Sequence, residues 1–373
     1  MPSASGYLPY LPLLAPPILA AAYAFASRPP ASNLNQIYAT VDPGLASLPL
    51  DSPARVVYSE DWVEGGAYAN LPMGRVRYWL VGPISGKKVV LIHGLSIPAL
   101  VFQHLVPILV GAGYQVLLYD LYGRGYSDAP QNTPYDAHLY VMQLALLLQH
   151  VGWARTRLVG YSMGGAIAAA FVATFPGLVE SELVLAASVG SRETSFAPFY
   201  RIRNMPFVEG WTMRAVMFVS STFSSSPFQW LTSFRVQDVM KIPATGEEST
   251  LNAIVRLQAT SLRGFTHAVI SSLHEGPTSR MRSTFGVPAW RGRRVLFVHG
   301  SEDDVVPPSD SPLLRSLIDS ATRDASNGSN SMEAGKAETQ LVYVEGAGHD
   351  LPWTHAEEMG RAILEFLEGK AGK

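Results

Sequence analysis

The sequence predicts an α/β fold: a mostly parallel, twisted sheet with helices on both faces, broken once by a long helical insertion. Three observations carry this. Apolar runs of strand length alternate with helix-period stretches from about residue 75 to residue 187. The alternation stops near Gly190 and resumes at Val295. Of the 373 residues, 47% are apolar and 16% charged, enough to bury a sizeable core and too apolar for a disordered chain.

The elements follow in order. Arg75 to Val81 alternates and reads as a strand, and Val89-Val90-Leu91-Ile92 is a continuous apolar run suited to a sheet covered on both faces. Pro98 opens a predicted helix of about fifteen residues that ends near Gly111 and Gly113. Val116 to Tyr119 is a second buried strand and Ala137 to Val151 a second helix. Leu158-Val159 then leads into a helix of small residues from Met163 to about Phe175, and Leu183 to Ala187 is again a strand. Strands joined through helices require right-handed crossovers and hence a parallel sheet. Beyond Gly190, ten aromatic residues and three methionines fall within the thirty-nine positions from Phe196 to Phe234. Leu251 to Leu273 carries apolar residues at helical spacing. Val295 to Val298 and Leu341 to Val344 restore the strand rhythm, with a polar surface loop expected over Ala321 to Gln340. The expected organisation is a segment 1–53 rich in Pro and apolar residues, a core of 54–189 with 286–373, and an insertion over 190–285.

Composition excludes several classes of function. The net charge of −2 offers nothing to hold nucleic acid, and none is expected as a partner. The chain has no cysteine, so disulfides, thiolate metal sites and thiol nucleophiles are all excluded. No histidine and carboxylate cluster has metal-ligand spacing, and neither a metal nor a cofactor is expected. Tyr7 to Ala26 carries no charge and is about long enough to cross a bilayer, although Pro9, Pro12, Pro16 and Pro17 interrupt it. The favoured reading is a membrane-associated protein held by this segment. A cleaved signal ending at Ala24-Phe25-Ala26 and an unstructured arm are the alternatives.

The chemistry concentrates at Gly160-Tyr161-Ser162-Met163-Gly164. G-x-S-x-G after a strand and before a helix suits a serine held on a tight turn, its glycines letting the strand and helix meet. A serine hydroxyl is a weak nucleophile until a base accepts its proton and an acid orients that base. His349 follows the last apolar strand in Gly346-Ala347-Gly348-His349, and Asp303 and Asp304 follow the one before it. The order Ser, Asp, His is the one a nucleophile elbow requires.

Taken with His93-Gly94-Leu95-Ser96 and Asp120-Leu121-Tyr122-Gly123-Arg124-Gly125-Tyr126-Ser127, these motifs span roughly residues 75 to 365. The chain resembles the α/β-hydrolase superfamily, and within it the capped serine esterases, lipases and monoacylglycerol-lipase-like enzymes. The resemblance implies Ser162 as nucleophile, His349 as base and Asp303 as orienting acid, its position three residues after Gly300 favouring it over Asp304. It implies an oxyanion hole made by the backbone N–H groups of Leu95 and Met163, and a cap formed by 190–285. Serine at the elbow argues against the halide and epoxide chemistry of relatives that carry Asp there. Asp350 is too local to orient its neighbour's ring. Asp120 and Arg124 read as fixing the loop after their strand, and His104, His138, His150, His267, His274 and His355 as surface or packing residues. The expected activity is cleavage of a carboxylic ester with an apolar part through an acyl-enzyme. The same three residues acting on a thioester, an amide or a C–C bond beside a carbonyl is one alternative; a ligand-binding protein of the same shape is the other.

Overall fold

The computed structural model describes residues 40–191, 249–278, 280–323 and 335–369. The chain divides into two compact units, Met1–Ile37 with Phe196–Lys241, and Tyr38–Ser195 with Ile242–Lys373. The first unit lies wholly outside the described residues, as does the aromatic-rich stretch 196–234; the second holds everything below.

An eight-stranded sheet forms its centre: β1 (Gly66–Leu71), β2 (Gly74–Val81), β3 (Lys87–Ile92), β4 (Tyr114–Tyr119), β5 (Thr156–Tyr161), β6 (Val179–Ala186), β7 (Arg294–Gly300) and β8 (Glu338–Val344). Their order across the sheet is β8-β7-β6-β5-β3-β4-β2-β1. Only β2 runs against the rest, and it is antiparallel to both of its neighbours. The other pairs are parallel, with Val89 to Ile92 of β3 opposite Arg157 to Gly160 of β5. Their ends therefore open on one edge, and β3 and β5, which lead in opposite directions across the sheet, meet where such folds place their ligands. The central strands are apolar on both faces because helices cover both: all six residues of β4 are buried.

The described α-helices of six residues or more are α1 (Val106–Gly111), α2 (Ala137–His150), α3 (Met163–Thr174), α4 (Thr250–Ser261), α5 (Arg263–His274), α6 (Asp310–Arg323) and α7 (Ala356–Leu367). Asp136 caps α2, its side chain accepting from the Leu139 N–H at 2.9 Å, worth about 1 kcal/mol. In α3 every residue from Met163 to Val172 is buried. That burial depends on small side chains, since a Cβ on Gly164 would collide with the Ile92 carbonyl.

Several sequence expectations are corrected. The helix expected from Pro98 divides into a 3-10 turn (Ala99–Phe102) and α1. Pro107 brings no N–H, so it starts a helix more readily than it continues one. The single helical period over 251–273 is two helices, α4 and α5, broken at Leu262, whose backbone is extended. A close approach positions the start of the second, for a Cβ on Gly264 would strike Ala129. The polar loop is shorter than expected: α6 reaches Arg323 and β8 begins at Glu338. The expectation of a membrane-associated protein is also corrected. Among the described residues no helix is long and apolar enough to cross a membrane. The run 7–26 on which it rested lies outside them.

Candidate active site

Ser162 is the single residue between β5 and α3, and the chain must reverse there. It does so at φ 55° and ψ −121°, a left-handed conformation that costs a non-glycine residue roughly 1–3 kcal/mol. Its surroundings hold it there. The Ser162 N–H donates to the Ala186 carbonyl at 2.9 Å, and its own carbonyl accepts from Gly165 at 3.0 Å and Val189 at 3.3 Å. The side chain thereby stands at the open edge of the sheet, at the N-terminus of α3.

Asp303 lies three residues past β7 and His349 five past β8, both at that same edge. His349 Nδ1–H donates to Asp303 Oδ2 at 2.8 Å. The Ser162 hydroxyl lies 3.0 Å from His349 Nε2 and can donate to it. Asp303 is almost fully buried, and its other oxygen accepts from the Val305 and Val306 N–H groups at 2.9 and 2.8 Å. Burial pushes its carboxyl up, but the bonds from His299, His349 and the Val306 amide outweigh that and hold it well below the usual carboxylate range. An ionised Asp303 requires the proton on His349 Nδ1, which leaves the Nε2 lone pair facing the serine.

Asp304, Asp303's rival from the sequence, is exposed, as is Asp350, which accepts from the Thr354 hydroxyl at 3.3 Å. Two supporting residues were beyond sequence reasoning. Buried His299 donates through Nε2 to the Val306 carbonyl at 2.9 Å, receives the Ser311 hydroxyl at Nδ1, and stands 3.3 Å from Asp303 Oδ2. The Tyr161 hydroxyl donates to the His349 carbonyl at 2.6 Å and holds that loop over the site. A histidine four residues before the acid was the only available signal.

On the other side of Ser162, a Cβ built on Gly94 would lie 3.2 Å from the Ser162 Cβ, so the backbone of the β3 loop passes directly beside the hydroxyl. His93 anchors that loop. Its Nδ1–H donates to the Gly94 carbonyl at 2.8 Å, and its Nε2 accepts from the Leu121 N–H at 2.8 Å. Burial is the chief reason that its pKa falls from 6.5 to about 3. An unfolded chain takes up this proton near pH 6.5 and the folded one only near pH 3, so acidification in that window favours unfolding. The contribution of His93 to stability falls by about 2 kcal/mol between pH 7 and pH 5. A His93→Gln variant, less stable than wild type at pH 7, is expected to narrow the gap by about that amount at pH 5 in urea unfolding. A gap independent of pH would refute this.

Asp120 sits behind the loop. It accepts from the Ala99 and Tyr126 N–H groups at 2.9 Å each and from the Tyr58 hydroxyl at 3.0 Å. Burial still pushes its carboxyl up to about 6. His104, His150 and His267 pack edge-on against Trp353, Tyr78 and Tyr135. Among the described residues no group of three His, Cys, Asp or Glu side chains is placed to hold a metal.

A model of the alpha/beta hydrolase family matches residues 89–362, nearly three quarters of the chain. The chain belongs to that family. The match is to the family as a whole and selects no branch within it. The hydrolase is 27% identical, over 287 residues, to a 2-hydroxy-6-oxononadienedioate/2-hydroxy-6-oxononatrienedioate hydrolase of Klebsiella pneumoniae, covering 76% of this chain and 88% of that one. It is 25% identical over 239 residues to Lipase 3 of a Moraxella species, covering 64% of this chain and 69% of that one. Among solved structures it is similar in fold to a bromoperoxidase from Bacillus anthracis, with a TM-score of 0.55 and 23% identity over 81% of this chain and 99% of that one.

Proposed function

We propose that this hydrolase cleaves a carboxylic ester through an acyl-enzyme intermediate. One observation carries the reading: a buried Asp303 bonded to His349 Nδ1, with His349 Nε2 3.0 Å from the Ser162 hydroxyl. In the first half-reaction Ser162 Oγ attacks the ester carbonyl carbon while His349 Nε2 takes the hydroxyl proton. The oxyanion is held by the Leu95 and Met163 N–H groups, the second at the positive end of α3. Collapse of the tetrahedral centre breaks the C–O bond, and the proton on His349 goes to the leaving alkoxide. Water repeats the sequence on the acyl-enzyme, giving the acid and restoring Ser162. Each oxyanion donor accounts for about 100- to 1,000-fold in rate in enzymes of this chemistry.

Of the insertion 190–285, the described helices α4 and α5 fit the role of a cap because they pack against the loops that lead to Ser162. By composition alone, the ten aromatic residues and three methionines in the sequence between Phe196 and Phe234 suggest an apolar acyl or alcohol group. Nitrophenyl esters of graded chain length test this: octanoate is expected to be turned over faster than acetate, and the reverse order would refute an apolar substrate. The relative named as a 2-hydroxy-6-oxononadienedioate hydrolase favours a second reading, in which the same residues cleave a C–C bond next to a carbonyl. Turnover of a vinylogous 1,5-diketone in preference to every ester and thioester of a panel would select that reading over the first.

A further inference from the structure

After β3 the chain presents three successive carbonyls, and each accepts a bond from a different buried side chain. The Gly94 carbonyl takes His93 Nδ1–H at 2.8 Å. The Leu95 carbonyl takes Arg124 Nε–H at 2.8 Å, and the Ser96 carbonyl takes Gln258 Nε2–H at 3.2 Å. All three donor residues are fully buried. Because a peptide unit is planar, fixing the Gly94 carbonyl fixes the direction of the Leu95 N–H on the same unit. The bond from Arg124 fixes the next plane, so both peptide units flanking the Leu95 Cα are pinned.

Two of these clamps reach beyond the loop. Gln258 is on α4, and its Oε1 accepts from the Gly125 N–H at 2.7 Å while its amide also donates to Ile254 at 3.3 Å. Arg124 spends its remaining N–H groups on the Tyr122 carbonyl, the Tyr140 hydroxyl, and the Ser272 hydroxyl and Ala268 carbonyl of α5. Among the described residues these partners are all neutral oxygens. Burying a guanidinium against neutral oxygens costs more than filling the same space with an apolar side chain of that size, so packing alone does not account for it.

We infer that Gln258 and Arg124 are positioning residues that hold the Leu95 N–H in its oxyanion-binding orientation, and that the seating of α4 and α5 is thereby coupled to assembly of the oxyanion hole. The inference rests on the acyl-enzyme reading above. When α4 is seated, Gln258 bridges the Ser96 carbonyl and the Gly125 N–H; when it lifts, both loops lose that bond at once. The described part of the insertion then completes the catalytic apparatus.

The test uses the full chain carrying Gln258→Met, which keeps the length of the side chain and removes every bond it makes. Hydrolysis of a nitrophenyl ester is expected to show kcat lowered about 10- to 100-fold with KM within about two-fold, since a misdirected donor is lost in the transition state and not in the ground state. A trifluoromethyl ketone, whose adduct carries the oxyanion, should lose affinity by a similar factor. If the Met variant does not fold, Gln258→Glu, which keeps the volume and the acceptor for Gly125, is expected to give the same split. A folded variant with unchanged kcat, or with a change in KM alone, overturns the inference. A wild-type chain that a fluorophosphonate fails to label overturns the acyl-enzyme reading and the inference with it; a labelled wild type with unaltered variants overturns the inference alone.

Discussion

Ser162→Ala is expected to abolish fluorophosphonate labelling and to lower ester turnover about 10⁴- to 10⁶-fold, because among the described residues no other hydroxyl meets the His349 imidazole beside the proposed oxyanion donors. The substitution should leave the fold intact. Ser162 contributes its left-handed backbone and main-chain bonds to the elbow, and among the described residues its side chain makes one hydrogen bond, to His349. Alanine also tolerates that conformation poorly, so the strain of the turn stays much as it was. The residual rate in the variant reports what the oxyanion donors and substrate binding achieve by themselves. Turnover within ten-fold of wild type would remove Ser162 from the chemistry.

Asp303→Asn is expected to cost about 10³- to 10⁴-fold in kcat with a smaller change in KM. An amide in this place can present its NH₂ to Nδ1, which stabilises the tautomer that carries the imidazole proton on Nε2, where it can no longer accept from Ser162. Asp304→Asn should leave kcat within about two-fold, because that carboxylate is exposed while Asp303 is buried between His299 and His349. The pair of variants separates the two acids that adjoin each other in the sequence. Equal losses in both would mean that the loop, and not one carboxylate, orients the base.

Asp303 also ties activity to stability. Its carboxyl titrates well below 3.8 in the folded chain, so its contribution is complete above that value and is lost as the pH falls through the folded range. Asp120 acts in the opposite sense. Raised to about 6, it binds a proton more readily when folded, and its protonation between pH 6 and pH 4 offsets part of what the charging of His93 removes.

Much of the site was legible in the sequence because each part sits at the end of an apolar strand. Ile92 precedes His93-Gly94, Tyr161 precedes Ser162, and the glycines around Ser162 and before His349 mark turns that larger residues could not make. The strand β1 escaped notice, since Gly66-Ala67-Tyr68-Ala69-Asn70-Leu71 is too poor in branched side chains to read as a strand and forms by pairing with β2. The break at Leu262 escaped for a related reason: a helical period of apolar residues can continue across a kink that tertiary packing imposes. Gln258 is silent in the sequence and His299 shows there only as part of the turn that delivers Asp303, because a buried polar side chain declares its purpose only through its partners.

From sequence alone came the strand-and-helix alternation, the family, and the three side chains, in order, that the open edge of the sheet would display. Those follow from local composition, since strand, turn and helix are short-range decisions. Which acid faces the imidazole, how the His93 ring is protonated, and which donors hold the loop beside Ser162 were settled only by folding. Each depends on groups tens to hundreds of residues apart in the chain, brought within hydrogen-bonding distance by parallel strands whose ends share one edge.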